Sequence, residues 1–376
     1  MSVTSASPVV TSPSLPARLL GAGVLLDGDI KPPEFIVKPF LPRAELIEIV
    51  GAHGAFKSTI ALDACLSIAT GRPWGGHATA KGRTVFITLE DSADTLARRL
   101  MAWLDGVHRN ADIGRAVSDE AAAERDLREN FSFLARDSAQ GLVLTRTAEG
   151  ATTARLDVAN HIARLAEGAS LVVLETASRL HDGPETNDAF AAFIRALERI
   201  PQTGAAVVIV RHMSKKAARE MKSADTIDSY AGRGGSALSD AIRGCLVVIR
   251  HDDGGQLAGV TLTAMKTTHG QEGQTISWLP VVVPSVEAVR LDVRTPEAQA
   301  FSDGELLFSH IATCEGGVTR KLLHNNPPAA LGRDRAKQAL DFLCSQGRLH
   351  EREERRGRNK QRTPVFYAYA PGTEVA

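Results

Sequence analysis

Residues 51–59, GAHGAFKST, set a lysine and two hydroxyls directly behind a short run that contains two glycines. From Gly51 to Ser58 the spacing follows the phosphate-loop pattern G-x-x-x-x-G-K-[ST], except that Phe56 stands where the second glycine is usual. In such a loop, successive backbone N–H groups and a helix N-terminus converge on phosphate oxygens. Gly51, Ala52, His53, Gly54, Ala55, Phe56, Lys57, Ser58 and Thr59 are thus the expected nucleotide cradle. Lys57 would neutralise the β- and γ-phosphates and Ser58 would ligate Mg²⁺, which makes ATP and Mg²⁺ the expected cofactors. If the position of Phe56 demands a positive φ, a phenylalanine there costs roughly 1–2 kcal/mol, which one loop can tolerate. Its ring cannot fill the phosphate pocket and is expected to pack outward, against the sheet edge or a neighbouring loop. The loop reads as a working variant.

Nucleotide hydrolysis also needs a carboxylate to orient water and an acid beside the metal. Glu90, in FITLEDS, has the position of the first, with Asp91 second in line; the plainer alternative is an acid at the start of the following helix. Glu175, ending LVVLE, is the expected metal-side acid with Ser58, a glutamate where aspartate is usual, able to reach the metal shell through water. His212, at the end of VVIVRH, is either a γ-phosphate sensor or an ordinary strand-end histidine. Arg233, Arg243 and Lys266 are candidate cationic fingers acting on a neighbouring subunit's nucleotide, and each alone could equally be a surface charge.

These residues need strands to carry them and loops to present them. LIEIV (46–50) reads as a strand, and STIALDACLSIATG as a helix stopped by Gly71. GRTVFITLED gives a second strand, and Ser92 can cap the helix that follows. A charged, alanine-rich stretch over 109–130 reads as a helical excursion, and FSFLARD (131–137) as a strand. Helices over 153–168 and 187–204 alternate with the apolar strands 170–178 and 205–212. Strands this apolar, alternating with helices, predict a mainly parallel α/β sheet covered on both faces. Residues 213–236 form a polar, basic, glycine-punctuated loop at a strand end, where such folds place function. A hairpin turning at DDGG and a strand ending near 284 close the core.

The 376 residues are 43% hydrophobic and 23% charged, and Lys+Arg and Asp+Glu both total 44. Nothing in the bulk charge marks a nucleic-acid binder, so any such surface must be local. Four scattered cysteines without a C-x-x-C pair point to a reduced cytoplasmic protein without structural zinc. No apolar run is long enough to span a membrane, so no membrane partner is expected. The Ser/Thr/Pro-rich residues 1–30 read as a disordered leader without a secretory pattern. An ATPase domain over 31–290, a linker over 291–300 and a small domain over 301–372 complete the organisation. In the last, helix, short helix, helix and hairpin follow the order of a winged helix. Arg348–Arg362 holds seven Arg or Lys and three acids. That wing, with Arg333, Arg335 and Lys337, could contact phosphates, the alternative being a solvated charged hairpin.

Over residues 33–285 the chain resembles RecA-like P-loop ATPases of the plasmid- and phage-type RepA helicase group, within the AAA-type ATPases. The resemblance rests on GAHGAFKSTIALDACLSIATG, GRTVFITLEDSADTLARRL, LVVLETASRLHDGPETNDAFAAFIRALERI, TGAAVVIVRHMSK and GRGGSALSDAIR in that order. It implies a RecA-like core, a homo-oligomeric ring, hexameric in this group, with ATP between subunits, and loops facing single-stranded DNA. It also implies catalytic Glu90, a sensor strand ending at His212, and finger roles for Arg233 or Arg243 and Lys266. The chain departs from the group at Phe56, at Glu175, and in lacking the Lys-x-Arg finger hairpin of DnaB-type rings. The function expected is an ATP-dependent helicase or translocase in plasmid, phage or mobile-element replication, with a primase or initiator as possible partner. A recombination or repair ATPase that does not unwind, and an ATP-switched DNA-binding regulator, are the competing expectations.

Overall fold

In the computed structural model the described residues are 22–26, 32–111, 118–184, 186–213, 236–253, 256–269, 272–293, 296–314, 317–328, 331–356 and 361–368. The chain divides into two units, Met1–Glu34 and Phe35–Ala376. Within the first, whose residues 1–30 were expected to be a disordered leader, the described part holds one short helix, α1 (Gly23–Leu26).

The second unit opens with a small antiparallel pair, β1 (Phe35–Val37) and β2 (Leu41–Pro42). The main run then follows as β3 (Leu46–Gly51), α2 (Lys57–Thr70), β4 (Arg83–Thr88), α3 (Ala93–Ala111), α4 (Ser118–Asn130) and β5 (Phe131–Leu134). A second small hairpin, β6 (Thr145–Ala148) and β7 (Ala151–Ala154), precedes α5 (Leu156–Leu165), β8 (Ala169–Glu175), α6 (Ala177–Leu180), α7 (Asn187–Leu197) and β9 (Ala206–His212). After α8 (Ser236–Ala241) come β10 (Gly244–Asp253), β11 (Gln256–Lys266), β12 (Thr275–Val283) and β13 (Ala288–Val293).

Nine of these strands form one sheet in the order β13-β12-β11-β10-β3-β9-β8-β4-β5. From β10 to β5 every neighbouring pair is parallel, and β11, β12 and β13 extend the sheet antiparallel. The buried parallel strands are apolar for a physical reason: helices cover both their faces. All seven residues of β8 are buried. On one face α2, α3 and α4 pack Ile60, Cys65, Leu96, Leu104 and Leu127 against the sheet. On the other, α5 and α7 contribute Ile162, Phe190 and Phe193, joined by Leu238 of α8 and by Ile242 just after it. The expected RecA-like α/β core is present, with a P-loop strand, β3, flanked by β9 and β10. Chain neighbours β3 and β4 are separated in the sheet by β9 and β8, which opens a crevice at the carboxyl ends.

Several expectations shift in detail. The β6–β7 hairpin was not anticipated: TRTA and ATTA carry no apolar alternation, so local pattern could not mark them. Residues 153 and 154, expected in a helix, belong to β7. The linker expected at 291–300 is partly structured: residues 291–293 complete β13, and 296–300 begin a helix with proline in its first turn, a position where its missing N–H costs nothing.

The C-terminal residues build a small body from α9 (Pro296–Ala312), α10 (Arg320–Asn325), α11 (Arg333–Ser345) and the hairpin β14 (Leu349–Arg356) with β15 (Gln361–Ala368). It has its own apolar core, with Leu307, Ile311, Leu323, Leu340, Leu343 and Phe366 buried together. Arg335, expected as a phosphate contact, instead grips buried Asp303 through Nε at 2.9 Å and Nη2 at 2.5 Å. Arg333 and Lys337 are exposed. At the wing, Arg362 pairs with Glu353 at 3.4 Å.

Candidate functional site

Parallel strands place their carboxyl ends on one edge of the sheet, and that edge gathers the candidate residues. Gly51 ends β3 and is in register with His212, the last residue of β9; Glu175, ending β8, is in register with Thr88, ending β4. The loop Ala52–Phe56 leaves β3 here and α2 starts at Lys57. A Cβ on Gly51 would lie 2.8 Å from the Val248 carbonyl oxygen, so close strand approach requires glycine there. Gly54 has φ 75° and Phe56 φ 64°, both left-handed. The usual glycine at position 56 is thus explained, and Phe56 occupies the same backbone conformation at a cost of about 1–2 kcal/mol. Its ring does not pack outward as expected. It is half-buried and packs against the core cluster, and the Phe56 carbonyl accepts the first helical bond, from Ile60 N at 2.9 Å.

Lys57 is 5% exposed, and its Nζ donates to the Ala52 carbonyl at 2.8 Å. Burial lowers its pKa to about 8, against the opposing pull of the Glu175 and Glu90 carboxylates. The ammonium is therefore poorly solvated and gains most from a phosphate arriving beside it. The Ser58 hydroxyl donates to Glu175 Oε1, and Glu175 is fully buried, with no partner in hydrogen-bond geometry for Oε2 among the described residues. Burial raises the Glu175 pKa to about 7, with the Ser58 hydrogen bond opposing. A hydroxyl and a buried carboxylate with spare acceptor capacity suit a hard oxygen-seeking cation, so the pair fits Mg²⁺. Bound there, the cation would neutralise phosphate charge, and Ser58 and Glu175 would hold it.

Glu90 stands on the turn just beyond β4. Its Oε1 accepts from the Thr176 hydroxyl at 2.9 Å and lies 3.8 Å from His212 Nε2. The His212 imidazole, followed by the Thr176 hydroxyl, holds the Glu90 carboxyl below its ordinary range, with burial opposing. Glu90 is thereby kept ionised, the state a water-orienting base requires. His212 also stacks on His53 of the loop, with centroids 6.1 Å apart and 19° between planes. A pocket lined by Ser178, His181, Phe190, Arg211 and His212 opens beside this group.

Three further residues contribute in ways that sequence reasoning did not assign. Thr176 holds the Glu90 carboxylate, and its hydroxyl is 3.1 Å from that of Ser178; only the fold shows that it faces β4. Asp91, set aside in favour of Glu90, pairs with Arg99 at 2.6 Å. Glu48, inside what looked like an apolar strand, forms a buried ion pair with Arg211 between β3 and β9. Its signal was present, as the one charge in LIEIV.

The candidate fingers lie elsewhere. Lys266 pairs in register with Cys245, which pairs with Glu48, three residues of strand or about 10 Å before Gly51. Exposed Arg243 precedes β10, near the amino end of β3, where its N–H donates to the Leu46 carbonyl at 3.0 Å. Lys266 Nζ is 3.5 Å from the Asp240 carbonyl. Neither joins the loop's own site, and Arg233 lies outside the described residues.

Residues 15–218, more than half of the sequence, match the family described as AAA domain. The chain belongs to the AAA domain family. It is a P-loop ATPase, and the matched AAA domain span contains the loop, Glu90, Glu175 and His212, ending before Arg243 and Lys266. Among solved structures, this AAA domain protein is similar to a KaiC-like protein from the hyperthermophilic archaeon Pyrococcus horikoshii. The identity is 12% and the TM-score 0.42, over 74% of this chain and 100% of that one. No curated protein matches it significantly.

Proposed function

We propose that this AAA domain protein is an ATP-driven helicase or translocase on single-stranded DNA, in the manner of RepA-type rings, serving plasmid, phage or mobile-element replication. The observation that carries the reading is the split of charged groups between the two edges of the sheet. Lys57, Ser58, Glu90, Glu175 and His212 gather at the carboxyl edge, while Arg243 and Lys266 stand at the amino side, out of reach of that nucleotide. Cations so placed are available to a neighbouring subunit's site, which is what a ring with nucleotide between subunits uses. The pocket beside His212 adjoins the 181–184 segment and the end of β9. A bound strand there would meet the groups that touch Glu90, which supplies a physical route from DNA contact to hydrolysis.

In this mechanism Lys57 and the loop N–H groups bind phosphate, Ser58 and Glu175 hold Mg²⁺, and Glu90 orients the attacking water while Thr176 and His212 fix its carboxylate. Hydrolysis then releases the contacts that ordered the neighbouring loops. The C-terminal body, read as a winged helix, would add a duplex or partner contact, with a primase or initiator as candidate.

Strand displacement on a forked duplex tests the proposal. Wild-type protein is expected to separate strands with ATP and Mg²⁺, and Lys57→Ala to lose the activity. DNA-stimulated hydrolysis without unwinding would point to a recombination-type ATPase, and sequence-specific duplex binding with negligible turnover to a regulator.

A further inference from the structure

We propose that Arg99 is a positioning residue for hydrolysis, gripping Asp91 to fix the turn that aims Glu90 at the terminal phosphate. The inference rests on the reading of Glu90 as the water-orienting base.

The turn from Thr88 to Asp91 is held by its own backbone N–H groups, two of them bonded to the Thr88 hydroxyl. The Thr88 hydroxyl accepts from Glu90 N at 3.2 Å and from Asp91 N at 3.1 Å. Leu89 N donates to the Glu175 carbonyl at 2.8 Å, and Arg136 N to the Asp91 carbonyl at 2.9 Å. One side-chain contact described here secures its outer end: Arg99 Nη1 lies 2.6 Å from Asp91 Oδ2, with the two side chains 23% and 18% exposed. A pair this shielded is worth more than a surface ion pair, because solvent screens it less.

Charge gives the pair a second task. Asp91, Glu90 and Glu175 crowd three carboxylates into the region where a nucleotide's phosphates must enter. An unneutralised Asp91 would repel the Glu90 carboxylate. Arg99 opposes that charge at close range.

Arg99 is also well mounted. It projects from α3, which is fastened to the phosphate-loop helix α2 by Trp103 Nε1 donating to Asp63 Oδ1 at 2.8 Å. The same helix is tied to β13 by the Arg290–Asp105 ion pair. Two anchors independent of Arg99 therefore hold α3, so the fold does not need Arg99 to place the helix. The helix can instead transmit the position of α2, and so of the loop, to the Glu90 turn.

The test compares Arg99→Ala, Arg99→Lys, Asp91→Asn and the Arg99→Ala/Asp91→Asn double variant with Glu90→Gln. The measurements are ATPase kinetics, affinity for a fluorescent non-hydrolysable ATP analogue, and the unfolding midpoint. Arg99→Ala is expected to lower kcat roughly ten- to a hundredfold, the scale of a small misplacement of a reacting group. Its KM and analogue affinity should stay within about threefold, well under a tenfold binding change. Arg99→Lys should recover part of the loss, and the double variant should lose no more than the worse single one. Full turnover in Arg99→Ala beside an inactive Glu90→Gln overturns the proposal. So does a fall in kcat that merely tracks the unfolding midpoint or analogue affinity. Turnover that survives in Glu90→Gln overturns the reading of Glu90 and this proposal with it.

Discussion

At the scale of single residues, Phe56 shows how a motif departure can be physically mild. The backbone needs φ 64° there, which glycine adopts freely and phenylalanine adopts at a cost of about 1–2 kcal/mol. The half-buried ring recovers a similar amount by packing on the core, since full burial of such a side chain is worth about 1.5–3 kcal/mol. Phe56→Gly is therefore expected to keep ATP-analogue affinity within about threefold and to alter turnover modestly. Isothermal titration checks this, and abolished binding would show that the ring supports the cradle directly. The chemistry-bearing residues themselves were legible: Lys57, Ser58, Glu90 and Glu175 follow from spacing and strand ends. Thr176 and Arg99 were not, because their significance lies in what faces them across β4 and α3.

At the scale of elements, the C-terminal helices show how the same residue type can serve opposite purposes. Arg335 looked like a phosphate contact beside Arg333 and Lys337. Its bidentate grip on Asp303, 2% exposed, makes it a clamp between α9 and α11. Removing the guanidinium takes a charged partner from a buried carboxylate, and a hydrogen bond to a charged group is worth about 1.5–3 kcal/mol. Arg335→Ala should thus destabilise the C-terminal helices by about 2 kcal/mol, read as lost hydrogen-exchange protection in α9 and α11. A variant with native protection but weakened DNA binding would restore the phosphate-contact reading. The β6–β7 hairpin was equally hidden, since its polar strands are pinned by tertiary bonds. Asp182 accepts from Thr147 N at 3.2 Å, and its own N–H donates to Thr145 Oγ1 at 2.7 Å.

At the scale of the whole molecule, the two edges of the sheet carry different kinds of charge. Binding groups gather at one, and Arg243 and Lys266 stand about 10 Å or more away along the strands. If those cations complete a neighbour's site, ATP stabilises the assembly, because ligand that binds only the assembled state favours it by mass action. Native mass measurement with ATP analogue and Mg²⁺ is expected to give a hexamer that weakens in Lys57→Ala. A monomer under both conditions would sink the trans-finger assignment. Among the described residues no helix is long and apolar enough to cross a membrane.

The sequence by itself determined the phosphate loop, the alternation of buried strands and helices, and the acids at strand ends. Each is a local pattern: fixed spacing on one turn, or an apolar run that only a covered parallel strand can use. The tertiary structure decided which acids meet which hydroxyls, where Phe56 rests, that Arg335 grips Asp303, and that the finger candidates lie away from their own loop. Those depend on strand order and register, which bring residues dozens of positions apart to a single edge. No local spacing encodes that adjacency, because it arises only when nine strands choose their neighbours.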